Sequence, residues 1–254
     1  MKLVEGWQVP DIDECCLPAI LSELPDLNVS YTHMNQFRTV IQAGGNVGVY
    51  PATMAGQFER VITVEPDTVN YQYLVLNVAG HDNIEHHWAA FGDKHGTASV
   101  DHPYPENIGA HQLKAGNDIK VMPIDALEVD DCDFIQLDIE GYEHLAILGA
   151  EQTIKRTYPV ITLELKGLGS RYGYTDEDTI NLLQDWGYEI VGRVNRDVIF
   201  ARMQWIFNIK QIMKSKRCLL NFCKLKNKHE KWCSQQIFLL AWNKMQCKAI
   251  QLQT

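Results

Sequence analysis

Two acidic residues follow a short apolar run in the segment FIQLDIEGYEHLAILGA, residues 134–150. Asp138 ends the run, and Glu140 comes just before Gly141, where a helical pattern begins. Carboxylates at the mouth of a buried sheet are costly to desolvate unless they are paired or bind something. One of the two could instead stabilise a helix N-terminus, which contributes about 0.3–1 kcal/mol. Asp138 and Glu140 are therefore candidates for acid–base chemistry, with Glu164, at the end of the next apolar run, as a third.

A glycine-rich loop lies directly behind another apolar run, in VIQAGGNVGVY, residues 40–50. Glycine destabilises a strand or helix by about 0.5–1 kcal/mol relative to alanine, so this loop needs bare backbone. The glycines stand at 44, 45 and 48, which is not the G-x-G-x-x-G spacing of dinucleotide sites. S-adenosylmethionine, which has no phosphate, suits a looser loop of this kind. A purely structural turn would explain the loop about as well.

Glu65 makes a ligand site the better interpretation of the loop. It ends the next apolar run, 17 residues beyond Gly48. An acid at about this separation accepts hydrogen bonds from both ribose hydroxyls of a nucleotide. A role near the helix N-terminus, just before Pro66, is the alternative, but it would not explain the spacing. The sequence therefore predicts an adenosine-containing ligand.

Alternating apolar runs and helical patterns must position these residues. Near-continuous apolar strands separated by helices are typical of an open, mostly parallel α/β sheet covered on both faces, which binds ligands beyond the carboxyl ends of its strands. A final antiparallel pair closes the predicted sheet. The strands are predicted at 39–42, 60–65, 83–90, 134–138, 159–164, 188–194 and 197–201, and the helices at 48–58, 67–79, 142–155 and from 175 or 176 to 186.

Composition divides the chain of 254 residues into a body and a tail. The predicted parts are an N-terminal extension at 1–37, a main domain at 38–202 with a hairpin-like insert at about 93–125, and a basic tail at 203–254. The tail has ten lysine and arginine residues against one acidic residue, whereas the rest of the chain is acidic overall. An acidic body argues against nucleic acid as a partner of the main domain. The tail is predicted to form basic amphipathic helices or to be poorly ordered; it could contact a membrane or a partner, or be dispensable.

Compartment and metal content follow from what the sequence does not contain. It has no pattern of a secretory signal and no window of about 18 apolar residues, and its seven cysteines include no C-x-x-C pair. These features predict a cytoplasmic protein with reduced thiols. An Asp/Glu cluster could hold Mg²⁺, but no spacing marks a dedicated metal site, and no Cys/His quartet indicates zinc.

Taken in order, the motifs resemble the FkbM-type S-adenosylmethionine-dependent methyltransferases over residues 38–166. They are IQAGGNVGVY, VITVEPD, NIGAHQL, MPIDAL, DFIQLDIEGYEHLAILGAEQTI and PVITLEL. The resemblance implies a seven-stranded, Rossmann-like class I methyltransferase fold. It also implies O-methylation, with a sugar, a glycan or another hydroxylated small molecule as the methyl acceptor.

The resemblance also implies roles for individual residues. Glu65 would hold the ribose, and Asp138 and Glu140 would face the methyl group, with a place in the cofactor shell as the second choice for Asp138. Gln42 stands where the family usually has aspartate, and its amide can hydrogen-bond the cofactor but cannot pair with its ammonium group. The cofactor loop would be Gly44, Gly45, Asn46 and Gly48; Trp88 and Ala89 would lie near the adenine, and Asn107 and Gly109 would close over the site.

Two other functions stay open at this point. The glycine loop and Glu65 would also permit a nicotinamide-dependent oxidoreductase, although the third glycine of that fingerprint is missing and LDIEGYE is left unexplained. The other is a non-catalytic scaffold that binds an adenosine ligand and docks through its basic tail.

Overall fold

The computed structural model describes residues 1–202, so the predictions for the tail at 203–254 lie outside the described residues. The strands are β1 (Lys2–Val4), β2 (Trp7–Val9), β3 (Thr39–Ala43), β4 (Arg60–Val64), β5 (Ile84–His87), β6 (Ala89–Phe91), β7 (Gly96–Asp101), β8 (Gln112–Met122), β9 (Cys132–Leu137), β10 (Val160–Glu164), β11 (Tyr188–Val194) and β12 (Asp197–Arg202). The α-helices are α1 (Cys16–Glu23), α2 (Leu27–Tyr31), α3 (Val49–Ala55), α4 (Thr68–Val78), α5 (Glu143–Leu148), α6 (Glu151–Thr157) and α7 (Asp176–Asp185).

Seven strands form the central sheet, in the order β11-β12-β10-β9-β3-β4-β5. The strands from β10 to β5 run parallel, whereas β12 pairs antiparallel with both β10 and β11. The apolar strands are buried because helices cover the sheet, and the whole of β3, with the sequence TVIQA, is buried. The predicted α/β class, with a mostly parallel sheet and an antiparallel closing pair, is confirmed. The carboxyl ends of β3, β4, β9 and β10 meet at one edge of this sheet.

The third predicted strand, 83–90, is wrong as a single element. It divides at Trp88 into β5, which belongs to the central sheet, and β6, which pairs in parallel with β8 in a separate three-stranded sheet. The division is caused by burial, since Ala89, Ala90 and Phe91 are all buried, and Ala90 packs in a small core with residues of β7 and β8. The two sheets therefore meet beside the end of β5.

The predicted helix 142–155 is also wrong as a single element, because it divides at Gly149 into α5 and α6. The Gly149 carbonyl accepts a hydrogen bond of 2.8 Å from the Asp125 N–H. A Cβ atom at Gly149 would overlap the carbonyl oxygen of Gly92, so only glycine permits this close approach. The Asp125 carboxylate then binds the N–H groups of Gln152 and Thr153, at 3.0 and 2.7 Å, in the first turn of α6.

The first residues of the chain pack against the glycine loop. Val9 and Leu17 share a buried cluster with Val47, in the loop, and Ile108, in the insert between β7 and β8. The N-terminal segment therefore contributes to the same core as the candidate site.

Helix hydrophobicity and the state of the cysteines can be assessed for the described part of the chain. No helix among residues 1–202 combines the length and the apolar character that a membrane span requires. Cys15, Cys16 and Cys132 are free thiols, and burial raises the pKa of Cys16 and Cys132 above the ordinary range, so these two thiols are protonated.

Candidate active site

The loop between β3 and α3 requires glycine for three separate reasons. Gly44 and Gly48 have φ angles of +83° and +97°, which side chains rarely adopt. A Cβ atom at Gly44 would overlap the carbonyl oxygen of Asp138, and one at Gly45 would lie 2.8 Å from the Thr63 hydroxyl. The loop backbone therefore lies directly against the ends of β4 and β9.

Glu65 is fixed at the end of β4 by backbone hydrogen bonds. Its Oε2 accepts from the Asn46 N–H at 2.7 Å, and its Oε1 accepts from the Asp67 N–H at 2.8 Å. The side chain is almost fully buried, and this burial raises the pKa of Glu65 to about 8, despite the two hydrogen bonds that favour its charged form. An ionised carboxylate offers about four acceptor sites, so Glu65 can still accept further hydrogen bonds from a ligand.

Two asparagines hold the insert over the glycine loop. The carbonyl oxygen of Ile108 accepts from Asn46 Nδ2 at 3.0 Å and from Asn70 Nδ2 at 2.8 Å. Asn46 is in the loop and Asn70 is in the first turn of α4. The turn that contains Ile108 and Gly109 is therefore attached both to the loop after β3 and to the helix after β4.

A cluster of three carboxylates and one lysine lies at the ends of β9 and β10. Asp138, Glu140 and Glu164 each place one carboxylate oxygen within 4.8 Å of the others. Lys166 Nζ lies 2.9 Å from Glu140 Oε1 and also forms an ion pair with Glu164, while Arg196 lies 3.7 Å from Glu164. This arrangement gathers three partly buried carboxyl groups around the partly buried Lys166.

The cluster alters the proton affinity of its members. Burial raises the pKa of Asp138 well above its ordinary value, and the neighbouring Glu164 raises it further, while Lys166 acts in the opposite direction. Burial disfavours the charge on Lys166, but Asp138 and Glu164 raise the pKa of the lysine above its ordinary value. The site therefore combines a permanently charged lysine with a carboxyl that holds its proton more tightly than usual.

Glu143 is a buried acid of this segment that sequence reasoning missed. Its Oε1 accepts from the N–H of Ile139 at 2.9 Å and of Gly141 at 3.3 Å, so it braces the turn after β9. Burial raises the pKa of Glu143 to about 7. Glu143 begins α5, and it is the acid that stabilises this turn. The side chains of Asp138 and Glu140 are not needed for that role. An acid at the first helical position was the signal that could have indicated this.

The glycine loop and the ends of β4 and β9 border one cleft. Six of the residues predicted for the site lie on it, and several others were not predicted, among them Tyr50 and the N-terminal Cys16 and Ile20. The six are Gly44, Asn46, Glu65, Gly109, Asp138 and Glu140.

The other predicted site residues lie off the lining of the cleft: Gln42, Gly45, Gly48, Trp88, Ala89, Asn107 and Glu164. Fully buried Gln42 supports the loop from below, donating to the carbonyls of Ala43 and Gly44 at 3.1 and 3.0 Å. The Trp88 indole donates to the Pro66 carbonyl at 2.9 Å, and the side chain is 46% exposed.

Ala89, in β6, and Asn107, in the insert, also have structural contacts. Ala89 is buried in the main core, while its neighbours Ala90 and Phe91 reach the cleft. Asn107 Oδ1 accepts from the Gly109 N–H at 3.0 Å and so shapes the turn of the insert. The four residues Gln42, Trp88, Ala89 and Asn107 therefore make structural contacts and do not line the cleft.

The sheet order and the position of the cleft define a class I methyltransferase fold, as predicted. The chain belongs to the FkbM methyltransferase family, since the sequence model of the methyltransferase FkbM domain matches residues 42–190. This membership confirms the expected class of enzyme, a methyltransferase with S-adenosylmethionine as cofactor. No curated protein sequence matches the chain.

Solved structures of similar fold include a methyltransferase FkbM from Methylobacillus flagellatus KT, which is 23% identical and has a TM-score of 0.47. The similarity covers 66% of this chain, and this chain spans 44% of that protein. The N-methyltransferase NodS from Bradyrhizobium japonicum WM9, solved with S-adenosyl-L-homocysteine, is 11% identical with a TM-score of 0.46, over 74% of this chain and 87% of that one. A ribosomal protein L11 methylase from Lactobacillus delbrueckii subsp. bulgaricus is 13% identical with a TM-score of 0.45, over 79% and 83% of the two chains.

Proposed function

We propose that the protein transfers the methyl group of S-adenosylmethionine to a hydroxyl oxygen of a sugar, a glycan or another small molecule. The observation that carries this proposal is the group of Asp138, Glu140, Glu164 and Lys166 at the edge of the sheet. The backbone carbonyl of Asp138 lies directly against Gly44 of the glycine loop. An alcohol is a poor nucleophile until its proton is accepted, and this group supplies partly buried carboxyl groups for that step.

The donor side of the cleft suits an adenosine ligand. Glu65 presents a fixed carboxylate with acceptor sites to spare for ribose hydroxyls, and Gly44 and Asn46 of the glycine loop line the cleft beside it. Pro66, Ala90 and Phe91 add an apolar surface to the lining beside Glu65. When bound here, S-adenosylmethionine supplies a methyl group activated by a sulfonium. The main work of the protein is then to position the two substrates and to exclude water.

Asp138 is the proposed proton acceptor, on the side of the cleft where the methyl acceptor would bind. In its ionised form Asp138 is a stronger base than an ordinary carboxylate, because burial and the neighbouring Glu164 raise its pKa. Lys166 holds Glu140 and Glu164 through ion pairs, which fixes the two carboxylates around Asp138. Glu140 has a φ angle of +58°, a conformation that costs about 1–3 kcal/mol in a non-glycine residue, and this strain supports a functional position.

The two other functions are less well supported. A nicotinamide-dependent oxidoreductase would leave the carboxylate cluster and the family membership unexplained. A scaffold docked through the basic tail depends on residues outside the described part of the chain, and it stays a prediction, as does a cytoplasmic location.

The test is transfer of a labelled methyl group from S-adenosylmethionine to a panel of monosaccharides, glycans and phenols, with the methylated atom identified by mass spectrometry. We expect an O-methyl product. For the acceptor found, Asp138→Asn should lose about 10²–10⁴-fold in rate and keep its affinity for S-adenosylhomocysteine. Glu140→Gln and Glu164→Gln are compared in parallel, with the exposed Asp82→Asn as the matched control.

Three results would change the account. N-methylation alone would contradict the proposed reaction. Unchanged turnover in all three variants of the cluster would remove these carboxylates from the mechanism. Loss of S-adenosylhomocysteine binding in Asp138→Asn would move Asp138 to the cofactor shell.

A further inference from the structure

A second cluster of polar side chains reaches the cleft through His111, and the function proposed above gives these side chains no role. It consists of Asp67, His102 and His111, and each contributes one oxygen or nitrogen atom that lies within 4.8 Å of the other two. His102 Nε2 is 2.7 Å from Asp67 Oδ2, and His111 Nδ1 is 3.7 Å from the same oxygen. The two imidazole rings meet edge to face, with their centroids 4.4 Å apart.

We propose that Asp67, His102 and His111 bind a divalent transition-metal ion such as Zn²⁺. Two imidazoles and one carboxylate are donors that suit this class of ion, with a further position left for water. The spacing of the ligand atoms fits as well. Ligand atoms that are each about 2.0–2.1 Å from a tetrahedral Zn²⁺ lie roughly 3.3–3.4 Å apart. The distances of 2.7 and 3.7 Å from Asp67 Oδ2 to the two histidine nitrogens lie on either side of that separation.

The environment of each residue supports a ligand role. Asp67 uses its Oδ1 to cap α4, accepting from the N–H groups of Val69 and Asn70 at 2.9 Å, so Oδ2 is the oxygen that faces the histidines. The His111 side chain is only 10% exposed, so the surrounding structure holds its ring close to Asp67. The Oδ1 atom of Asn70, whose Nδ2 lies 3.4 Å from His111 Nδ1, is buried and has no hydrogen-bond partner within the described chain.

An ion bound by these three residues would join two parts of the chain that are distant in sequence. His102 follows the end of β7, and His111 precedes the start of β8, so the two histidines stand at the two ends of the 103–110 loop. Asp67 belongs to a different part of the chain, at the start of α4. A bound ion would therefore tie both ends of this loop to α4, in addition to the contacts of Ile108 with Asn46 and Asn70.

The residues explain why the sequence did not reveal this site. Asp67 is separated from His102 by 34 intervening residues, and the two histidines lie 9 apart, which matches no zinc-binding spacing. Only the pairing of β7 with β8 brings the two ends of the loop together: Asp101, beside His102, is paired with Gln112, beside His111.

The experiment is calorimetric titration of Zn²⁺ into the full chain after removal of metal with a chelator. Four variants are compared with the wild type: His102→Ala, His111→Ala, Asp67→Asn and, as the matched control, His95→Ala. His95 is an exposed histidine of the same insert, outside the cluster. Since asparagine is a good N-cap, Asp67→Asn preserves the helix cap, and since the His102 side chain is 49% exposed, its removal opens no core.

We expect one Zn²⁺ equivalent whose affinity falls by about 10–100-fold or more in each variant of the cluster and is unchanged in His95→Ala. Zn²⁺ should also raise the melting temperature of the wild type and of His95→Ala, but not that of His102→Ala. Equal stoichiometry and affinity in His102→Ala, Asp67→Asn and the wild type would overturn the proposal, as would the lack of any Zn²⁺ binding by the wild type. Neither result depends on methyl transfer, so this proposal can fail while the proposed function holds.

Discussion

Glu65 and Asn46 are joined by a hydrogen bond of 2.7 Å from the Asn46 N–H to Glu65 Oε2. The bond ties the acid at the end of β4 to the glycine loop after β3. Because the Asp67 N–H holds the other carboxylate oxygen at 2.8 Å, the side chain of Glu65 cannot turn without breaking a bond. The carboxylate is thus oriented in advance, which reduces the entropy lost when a ligand binds it.

Gly44→Ala should destabilise the protein and abolish binding of S-adenosylhomocysteine. The φ of +83° alone costs an alanine about 1–2 kcal/mol, and the new Cβ would overlap the Asp138 carbonyl oxygen. The control is Gly80→Ala, since a Cβ atom there meets nothing within 4 Å. Urea unfolding and calorimetry on both variants measure the two effects. A Gly44→Ala protein with wild-type stability and affinity would show that the loop tolerates a side chain.

The order of elements and the positions of the acids could be predicted because they depend on local pattern. Apolar runs mark the strands, and Glu65 and Asp138 directly follow two of these runs, where a parallel sheet collects its ligands. The separation of β6 from β5 at Trp88 could not be predicted, because it depends on pairing with β8, which is distant in sequence. The break at Gly149 depends on the approach of Gly92, which is equally distant.

Residues of the site that depend on contacts distant in sequence could not be predicted either. The orientation of Gln42 follows from its hydrogen bonds beneath the loop, and these depend on how the loop folds back on β3. Cys16 and Ile20 reach the cleft only because the N-terminal segment packs on Val47 and Ile108, which no local pattern indicates. Residues that follow strands were therefore easier to place than residues contributed by packing.

Stability should fall as the pH rises from about 5 to about 8. Burial raises the pKa of Glu143 and Asp197 to about 7 and that of Glu65 to about 8. The folded state therefore binds more protons than the unfolded state between the ordinary carboxyl pKa values and these raised values, so unfolding becomes easier as pH increases. Above about pH 8 this decrease should end.

Glu143→Gln tests this prediction at one residue. The glutamine Oε1 can still accept from the Ile139 and Gly141 N–H groups, but the side chain no longer titrates. The fall in the free energy of unfolding between about pH 5 and about pH 8 should be smaller in this variant by about 2–3 kcal/mol. Denaturant unfolding of both proteins across this pH range is the measurement. Parallel curves for the two proteins would show that Glu143 has no raised pKa.

A chain that ends at Arg202 should fold and bind S-adenosylhomocysteine. All seven strands of the central sheet precede this point, and Val198 and Phe200 of the last strand are buried in the core. The melting temperature should stay within about 2–4 °C of the full chain, which corresponds to about 1 kcal/mol or less. A second truncation at Asp185 removes β11 and β12 and should unfold the protein. An insoluble 1–202 chain would show that residues beyond 202 complete the core.

The pH dependence of ligand binding follows from the raised pKa of Glu65. Ribose hydroxyls donate most strongly to the ionised carboxylate, which forms only as the pH approaches about 8. The affinity for S-adenosylhomocysteine should therefore increase from about pH 6 to about pH 8 and then level off, with release of a proton on binding. Calorimetry in buffers of different ionisation enthalpy measures the proton release. Binding that is independent of pH and releases no proton would contradict this role of Glu65.

The most direct test of the central claim is calorimetric binding of S-adenosylhomocysteine to the wild type, to Glu65→Ala and to the control Glu59→Ala, an exposed acid away from the cleft. The wild type and Glu59→Ala should bind one equivalent with equal affinity, and Glu65→Ala should bind more weakly by about 1–3 kcal/mol, because the ribose hydroxyls lose their acceptor. Equal affinity in all three proteins would remove Glu65 from the donor site. Tight binding of NAD⁺ by a wild type that binds neither S-adenosylmethionine nor S-adenosylhomocysteine would contradict the account as a whole.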